Sequence, residues 1–302
     1  MQNLIRKILV AVDFSDKSNN AVKMAVHIAA RHKAKIILLH NITNHAIIDR
    51  TGKQIIGAET INENFLKTQR ALKELEISLK AQYPVLEIQS VIKNDRLIHG
   101  INEVIDFETV DLVICGSSGH QNFSQLILGS LSYQILTEAN CSVLLVPEDC
   151  KKYSFDKILV PIRVLEDLTN KIDLSVAIAK RNNGVISLLG ISTDEDLIKI
   201  KDAYQRARTT IAIKSQEYHS QFLLTRDKAT QISKFSEEDD ADIIILNYQD
   251  EDSWKSFFSE NFFKQIINYT DVPLLFLKNK SVKTKNYSED NVGFDITLPH
   301  PG

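Results

Sequence analysis

The sequence predicts an α/β protein of two tandem, doubly wound domains. Three observations carry this. The chain is one unit written twice: KILVAVDFS at Lys7 returns as KILVPIRVL at Lys157, and VDLVICGSSG at Val110 returns as ADIIILNYQD at Ala241. Within each copy, short β-branched apolar runs alternate with stretches of helical period, which implies crossover connections and a parallel sheet. The 302-residue length suits two domains of ordinary size.

Each copy reads strand, helix, strand, helix through five strands. In the first copy the strands fall near 5–12, 35–41, 85–92, 110–115 and 142–146. Their apolar residues run consecutively, as in strands covered on both faces. AVHIAARHKAKIILLHNI, which spans the first helix and second strand, aligns without a gap with SVAIAKRNNGVISLLGIS. Ile61, Phe65, Leu72, Leu75 and Leu79 share one helical face before the third strand; Ile200, Tyr204, Ala207, Ile211 and Tyr218 do the same in the second copy. The repeat offset falls from 150 to 131 along the chain, so the first copy carries 19 extra residues, placed near TNHAIIDRTGKQIIGAET. SYQILTEANCSVLLV and FKQIINYTDVPLLFL supply the last helix and strand of each copy. The expected boundaries are a first domain at 1–147, a linker at 148–155, a second domain at 156–278 and a polar tail at 279–302. The region after Leu277 opens with four lysines in eight residues, and its later VGFDITL has the apolar content of an extended strand. CSVLLVP and VPLLFLK read as apolar edge strands of two separate sheets, expected to pack edge to edge as an internal pseudo-dimer.

Ten glycines serve the whole chain, and three of them fall at Gly116, Gly119 and Gly129, followed by Ser130. They lie between the fourth strand and the fourth helix. In doubly wound sheets ligands bind beyond the carboxyl ends of the strands, where free N–H groups at a helix start favour anions. Gly116 and Gly119 would let the backbone approach a phosphate, with Ser130 as an N-cap-like residue. The spacing G-x2-G-x9-G-[ST] resembles the nucleotide motif of the universal stress protein family. KILVAVDFSDKSNNAV resembles that family's opening strand with its Asp at Asp13, IILLHNI its second strand, VDLVICGSSG its fourth and CSVLLVP its fifth. The resemblance implies a Rossmann-like fold of the adenine nucleotide alpha hydrolase type, with strand order 3-2-1-4-5 in each domain. It implies ATP or a related adenine nucleotide as ligand, with or without Mg. The implied contacts are Ala11, Val12, Asp13, Asn41, Gly116, Ser117, Gly119, His120, Gly129, Ser130 and Leu131. It also implies pairing through the fifth strands, within one chain in tandem members, and leaves a further homodimer open. Two departures stand out: the turn after the third strand, usually marked by a glycine and a proline, differs in IKNDRLIHG, and Asn41 replaces an apolar residue expected against the base. Asp13, which precedes Ser15 and Asp16, also reads as an element of the first helix cap.

The second copy loses every glycine of the motif. Asn247, Asp250, Glu260 and Asn261 stand in their places, and Arg163 stands for Asp13. Carboxylates facing phosphates cost on the order of several kcal/mol per contact. The second domain is therefore expected not to take a nucleotide.

A formal net charge of −3 gives no footprint for nucleic acid. No apolar run approaches the length of a membrane span, and the N-terminus lacks signal-peptide architecture, so a cytoplasmic protein is expected. Cys115, Cys141 and Cys150 read as reduced thiols. There is no Walker lysine, G-x-S-x-G elbow or H-E-x-x-H, so no catalytic constellation is expected and any hydrolysis would be slow. His40, His45 and His120 fall at strand ends and offer an alternative metal reading. A non-nucleotide ligand, a module working by protein contacts through the aromatic stretch SWKSFFSENFF, and a small α/β ligase or hydrolase are the other readings.

Overall fold

The computed structural model describes residues 5–42, 58–117, 130–163, 167–248 and 262–278. In the first half, β1 (Lys7–Ala11), α1 (Asp16–His32), β2 (Lys35–Asn41), α2 (Ala58–Gln82), β3 (Ile88–Lys93), α3 (Leu97–Glu108), β4 (Leu112–Ser117), α4 (Ser130–Glu138) and β5 (Ser142–Pro147) follow in order. In the second half come β6 (Lys157–Ile162), α5 (Leu168–Asn182), β7 (Val185–Ser192), α6 (Leu197–Ile213), β8 (Tyr218–Leu224), α7 (Lys228–Glu238), β9 (Ile243–Asn247), α8 (Phe262–Tyr269) and β10 (Leu274–Leu277).

Each half has the expected strand order, but the two sheets are one. The order is β3-β2-β1-β4-β5-β10-β9-β6-β7-β8, a single ten-stranded sheet. All pairs within each half are parallel. The joining pair is antiparallel: Leu274, Leu275 and Phe276 face Leu145, Leu144 and Val143. The expected edge-to-edge packing of the fifth strands thus takes the form of a continuous backbone ladder. The reason is that each fifth strand is apolar and all six of these residues are almost wholly buried. Stopping the ladder there would leave backbone donors and acceptors unpaired beside an apolar edge.

Two apolar layers cover the sheet, one on each face, and each runs across both halves. Leu72 and Leu79 of α2 are buried as their spacing demands. Ile200, Tyr204, Ala207 and Ile211 of α6 are buried too. Tyr218 does not continue that face: α6 ends at Ile213, and Tyr218 opens β8. Its place seven residues after Ile211 matches the helical period by coincidence. Part of the first half's extra length is α2 itself, with 25 residues against 17 in α6. On α2, burial opposes the charge of Glu76, yet Lys80, Ser90 and Lys73 outweigh it and hold the carboxyl down to about 2.

The connection between the halves is pinned to α1. The Asn20 amide reaches the carbonyls of Pro147, Glu148 and Cys150 at 3.2, 2.9 and 2.9 Å. The Tyr153 hydroxyl donates to Asn20 Oδ1, and its ring stacks on His27. Arg31 Nη1 donates to Tyr153 O at 2.8 Å, and Arg181 Nη1 of α5 donates to Arg31 O at 2.8 Å. His32 is buried beside this contact. Burial first, then Arg181 and Arg31, push its pKa down to about 4.

Because the His32 pKa is lowered on folding, acid favours the unfolded chain, which takes up the proton more readily. Stability falls as pH drops from about 6.5 to about 4 and this contribution levels off below that, a loss of about 3 kcal/mol. Denaturant unfolding at pH 7.5 and 4.5 should show a smaller acid loss for His32→Gln than for the wild type; equal losses would refute this. A second expectation comes from the seam. Residues 1–150 expressed alone expose Val143, Leu144 and Leu145 and should dimerise or aggregate; a monomer at high micromolar concentration by analytical ultracentrifugation would contradict this.

Candidate functional site

A cavity of about 280 Å³ opens at the carboxyl ends of β1, β2 and β4. The local chain dictates its shape. β1 ends at Ala11, and Val12 donates to Leu39 O at 2.8 Å, which keeps the strand ends together. Phe14 then takes a left-handed φ of 63°, a conformation that non-glycine residues rarely adopt. That turn sets Ser15 as the N-cap of α1, where its side chain accepts from Ser18 N. Asp13 Oδ1 accepts from Ser15 N at 3.0 Å and Ser15 Oγ at 2.5 Å. Burial raises the Asp13 pKa, but the Ser15 bonds outweigh it and hold the carboxyl below its ordinary value. Asp13 therefore orients the cap rather than forming it, and stays ionised.

The cavity brings together six of the sequence-derived residues: Ala11, Val12, Asp13, Asn41, Gly116 and Leu131. Ser117 is not in its wall. It is buried at the end of β4 opposite Pro147, with its carbonyl accepting from Glu148 N. Ser130 is the first residue of α4. Gly119, His120 and Gly129 lie outside the described residues. So do Asp250, Glu260 and Asn261 of the second half, and His45 of the metal reading.

Two residues behave differently from their sequence reading. Gly116 has a reason within the fold: a Cβ there would lie 2.5 Å from Lys17 O and 2.7 Å from Lys17 Cβ. Close packing of β4 on α1 excludes a side chain whether or not a ligand is bound. Asn41 turns its amide toward α3. Nδ2 donates to Asp95 O at 2.6 Å, and Oδ1 packs against Gly100, where a Cβ would come within 3.0 Å of it.

The cavity also gathers residues that the motif did not name. Lys17 stands beside Gly116, with Nζ 3.7 Å from Glu148. His40 Nδ1 donates to Val12 O at 2.7 Å, and its ring meets Phe14. Ser132 Oγ donates to Gly116 O at 2.7 Å and ties α4 to β4. Leu39, Leu97 and Ile135 complete the apolar wall. The signal for Lys17 was its place as the second residue of α1, four positions after Asp13. Leu97 and Ile135 carry no motif and are found only by folding the chain. Cys115, in the same wall, is a buried thiol pushed up to about 12 by burial, which keeps it protonated. Among the described residues, Asp95, His99 and Glu103 bring three potential ligand atoms of His, Cys, Asp or Glu within 4.8 Å, all exposed on the α3 side, and Glu103 already pairs with Lys93.

The second half is built differently at the matching place. Arg163 follows β6 as Asp13 follows β1, and its guanidinium sits 3.9 Å from the ring centroid of Phe262, the residue that matches Leu131. Lys171, buried below, donates to Pro161 O at 2.5 Å; burial and Arg163 drive its pKa well below the ordinary lysine value. Lys228 stands where the first half has Leu97, and burial lowers its pKa too. Bulk and positive charge thus occupy the region that is a cavity in the first half.

The fold and the site define a class: a tandem pair of doubly wound α/β domains, joined edge to edge, with a strand-end cavity in the first. A model of the universal stress protein family matches residues 4–147. Universal stress protein A of Salmonella typhi is 32% identical over 143 residues, covering 47% of this chain and 94% of the relative. Universal stress protein YxiE of Bacillus subtilis is 29% identical over 150 residues, covering 47% of this chain and 99% of the relative. A universal stress protein structure from Archaeoglobus fulgidus matches the fold of both halves, with a TM-score of 0.73 and 19% identity over 91% of this chain and 97% of that one. The chain belongs to the universal stress protein family, as a tandem-domain member.

The Gly116 contact gives a clean expectation. Gly116→Ala should lower stability by about 1–3 kcal/mol through overpacking against Lys17, measured by denaturant unfolding without any ligand. An unchanged unfolding midpoint would show that the contact relaxes freely.

Proposed function

We propose that the first half binds ATP or a related adenine nucleotide and that the chain acts as a nucleotide-responsive regulator rather than an enzyme. One observation carries this reading: the G-x2-G-x9-G-S sequence begins in the wall of the strand-end cavity, at Gly116. The donor set fits the ligand. Ala11, Val12, Leu39, Leu97 and Leu131 offer apolar surface to a base; ionised Asp13 offers an acceptor to ribose hydroxyls; Lys17 offers a cation to phosphate. The phosphates fall in this reading to the segment from Gly116 to Ser130 and to the start of α4, where helix N–H groups favour an anion. The regulatory rather than catalytic reading rests on the family; the hydrogen-bonded Asp13 and Ser15 of the wall are accounted for as the cap of α1. The stress role follows from family membership.

A smaller, non-nucleotide ligand is the second reading, and the cavity's size favours it: about 280 Å³ is at the low end for small-molecule sites. Identification of any small molecule released on denaturing the purified protein separates the two.

Calorimetric titration should return one adenine nucleotide per chain, because Arg163 and Phe262 fill the second region. Gly119→Asp, which copies the residue at the matching position of the second half, should abolish that binding while far-UV CD and the melting temperature stay nearly unchanged. Wild-type affinity in the variant would remove the loop from the site; two equivalent sites per chain would overturn the assignment of one functional half.

A further inference from the structure

A second concavity, about 930 Å³, lies along the outer side of α3 and α4. It is acidic. Asp95, Glu103, Asp106 and Glu138 line it against a single arginine, Arg96, and Lys93 pairs with Glu103 from its border. The last described residue of the chain is anchored at one end of it. Lys278 N donates to Ser142 Oγ at 3.2 Å, and Lys278 Nζ donates to Ala139 O at 2.9 Å and Thr137 O at 3.1 Å. Those carbonyls flank Glu138, and Asn140 beside them approaches Asp106. The polypeptide therefore leaves the sheet at the Glu138 end of an acidic groove. Beyond Lys278 the chain continues as NKSVKTK, with Lys280, Lys283 and Lys285 and no acidic residue.

We propose that the groove between α3 and α4 is the docking site for this chain's own segment 279–285. The lengths agree. Asp106 and Asp95 are eleven residues apart along α3 and its lead-in, about 16 Å at the helical rise. Lys280 and Lys285 are five residues apart, about 16–17 Å if extended. A chain that starts at Ala139 and runs up the groove brings its lysines past Glu138 and Asp106, then Glu103, then Asp95. Leu97 lines both the groove and the strand-end cavity, so the docked segment would end beside the cavity's outer wall. Each exposed pair contributes little, so the contact is cumulative and sensitive to salt. Docking of the segment is independent of which ligand the cavity takes.

Zero-length carbodiimide coupling of the full chain at low ionic strength tests it. Peptide mapping should join Lys280, Lys283 and Lys285 to Glu103, Asp106 and Glu138, with yields at least about fivefold lower near 0.5 M salt, where screening shortens to a few ångströms. A mixture of isotope-labelled and unlabelled chains should place the links within one chain. The triple variant Glu103→Lys, Asp106→Lys, Glu138→Lys should lose the remaining Lys280–Lys285 couplings on this face. Links found only between differently labelled chains would make a second copy the occupant. Links spread evenly over surface carboxylates, or none in this groove, would leave the groove to some other basic partner. Either result overturns the proposal.

Discussion

The antiparallel pairing of β5 with β10 is the contact on which the rest of the molecule depends. It turns two five-stranded sheets into one and lets a continuous apolar layer cover each face. Burying Val143, Leu144 and Leu145 against Leu274, Leu275 and Phe276 removes the edges that would otherwise sit mid-molecule. The outer edges, β3 and β8, are left at the extremes of the sheet. The short connection from β5 to β6 does not merely span the seam. Asn20, Tyr153, Arg31 and Arg181 lock it to both halves, so rotation about the seam would break a set of buried and half-buried hydrogen bonds.

Against that shared frame, the halves differ by a handful of side chains at the strand ends. Asp13, Ala21, Leu97 and Leu131 in one half correspond to Arg163, Lys171, Lys228 and Phe262 in the other. The first set borders an open space with one ionised carboxylate, in a wall that also includes Lys17. The second set fills the space with an aromatic ring, a guanidinium above it and a buried lysine whose charge burial disfavours. The fold tolerates both sets, although Ala21 belongs to one apolar layer and Leu97 and Phe262 pack against the other.

Much of this was legible in the sequence. Internal repetition located the strands and the matching positions of the two halves, since consecutive β-branched runs have few other uses. The residues around Asp13 and Gly116 could be assigned to one site because α/β sheets place their ligands at strand ends. Other features depend on distance in space and left no trace in local pattern. The steric need for Gly116 comes from the backbone of Lys17, ninety-nine positions away. The same is true of Asn41, whose Nδ2 donates to the carbonyl of Asp95. Tyr218 shows the opposite failure, a spacing that matched a helix although the chain had already turned into a strand. The joining of the two halves was legible in their apolar fifth strands, whose edge-to-edge pairing is the antiparallel ladder of β5 and β10.

The antiparallel seam also sets the direction of the molecule's fields. In each half the helices start at the carboxyl ends of the strands, so their dipoles place partial positive charge there. Across the seam the strands reverse, and the two sets of dipoles point in opposite directions. Over the whole molecule they largely cancel, while each end keeps its own local attraction for anions. Backbone electrostatics therefore favour an anion equally at both ends of the molecule. Side chains break that symmetry: Asp13 and Leu131 border an open cavity in one duplicated domain, while Arg163 stacks on Phe262 at the matching place in its twin.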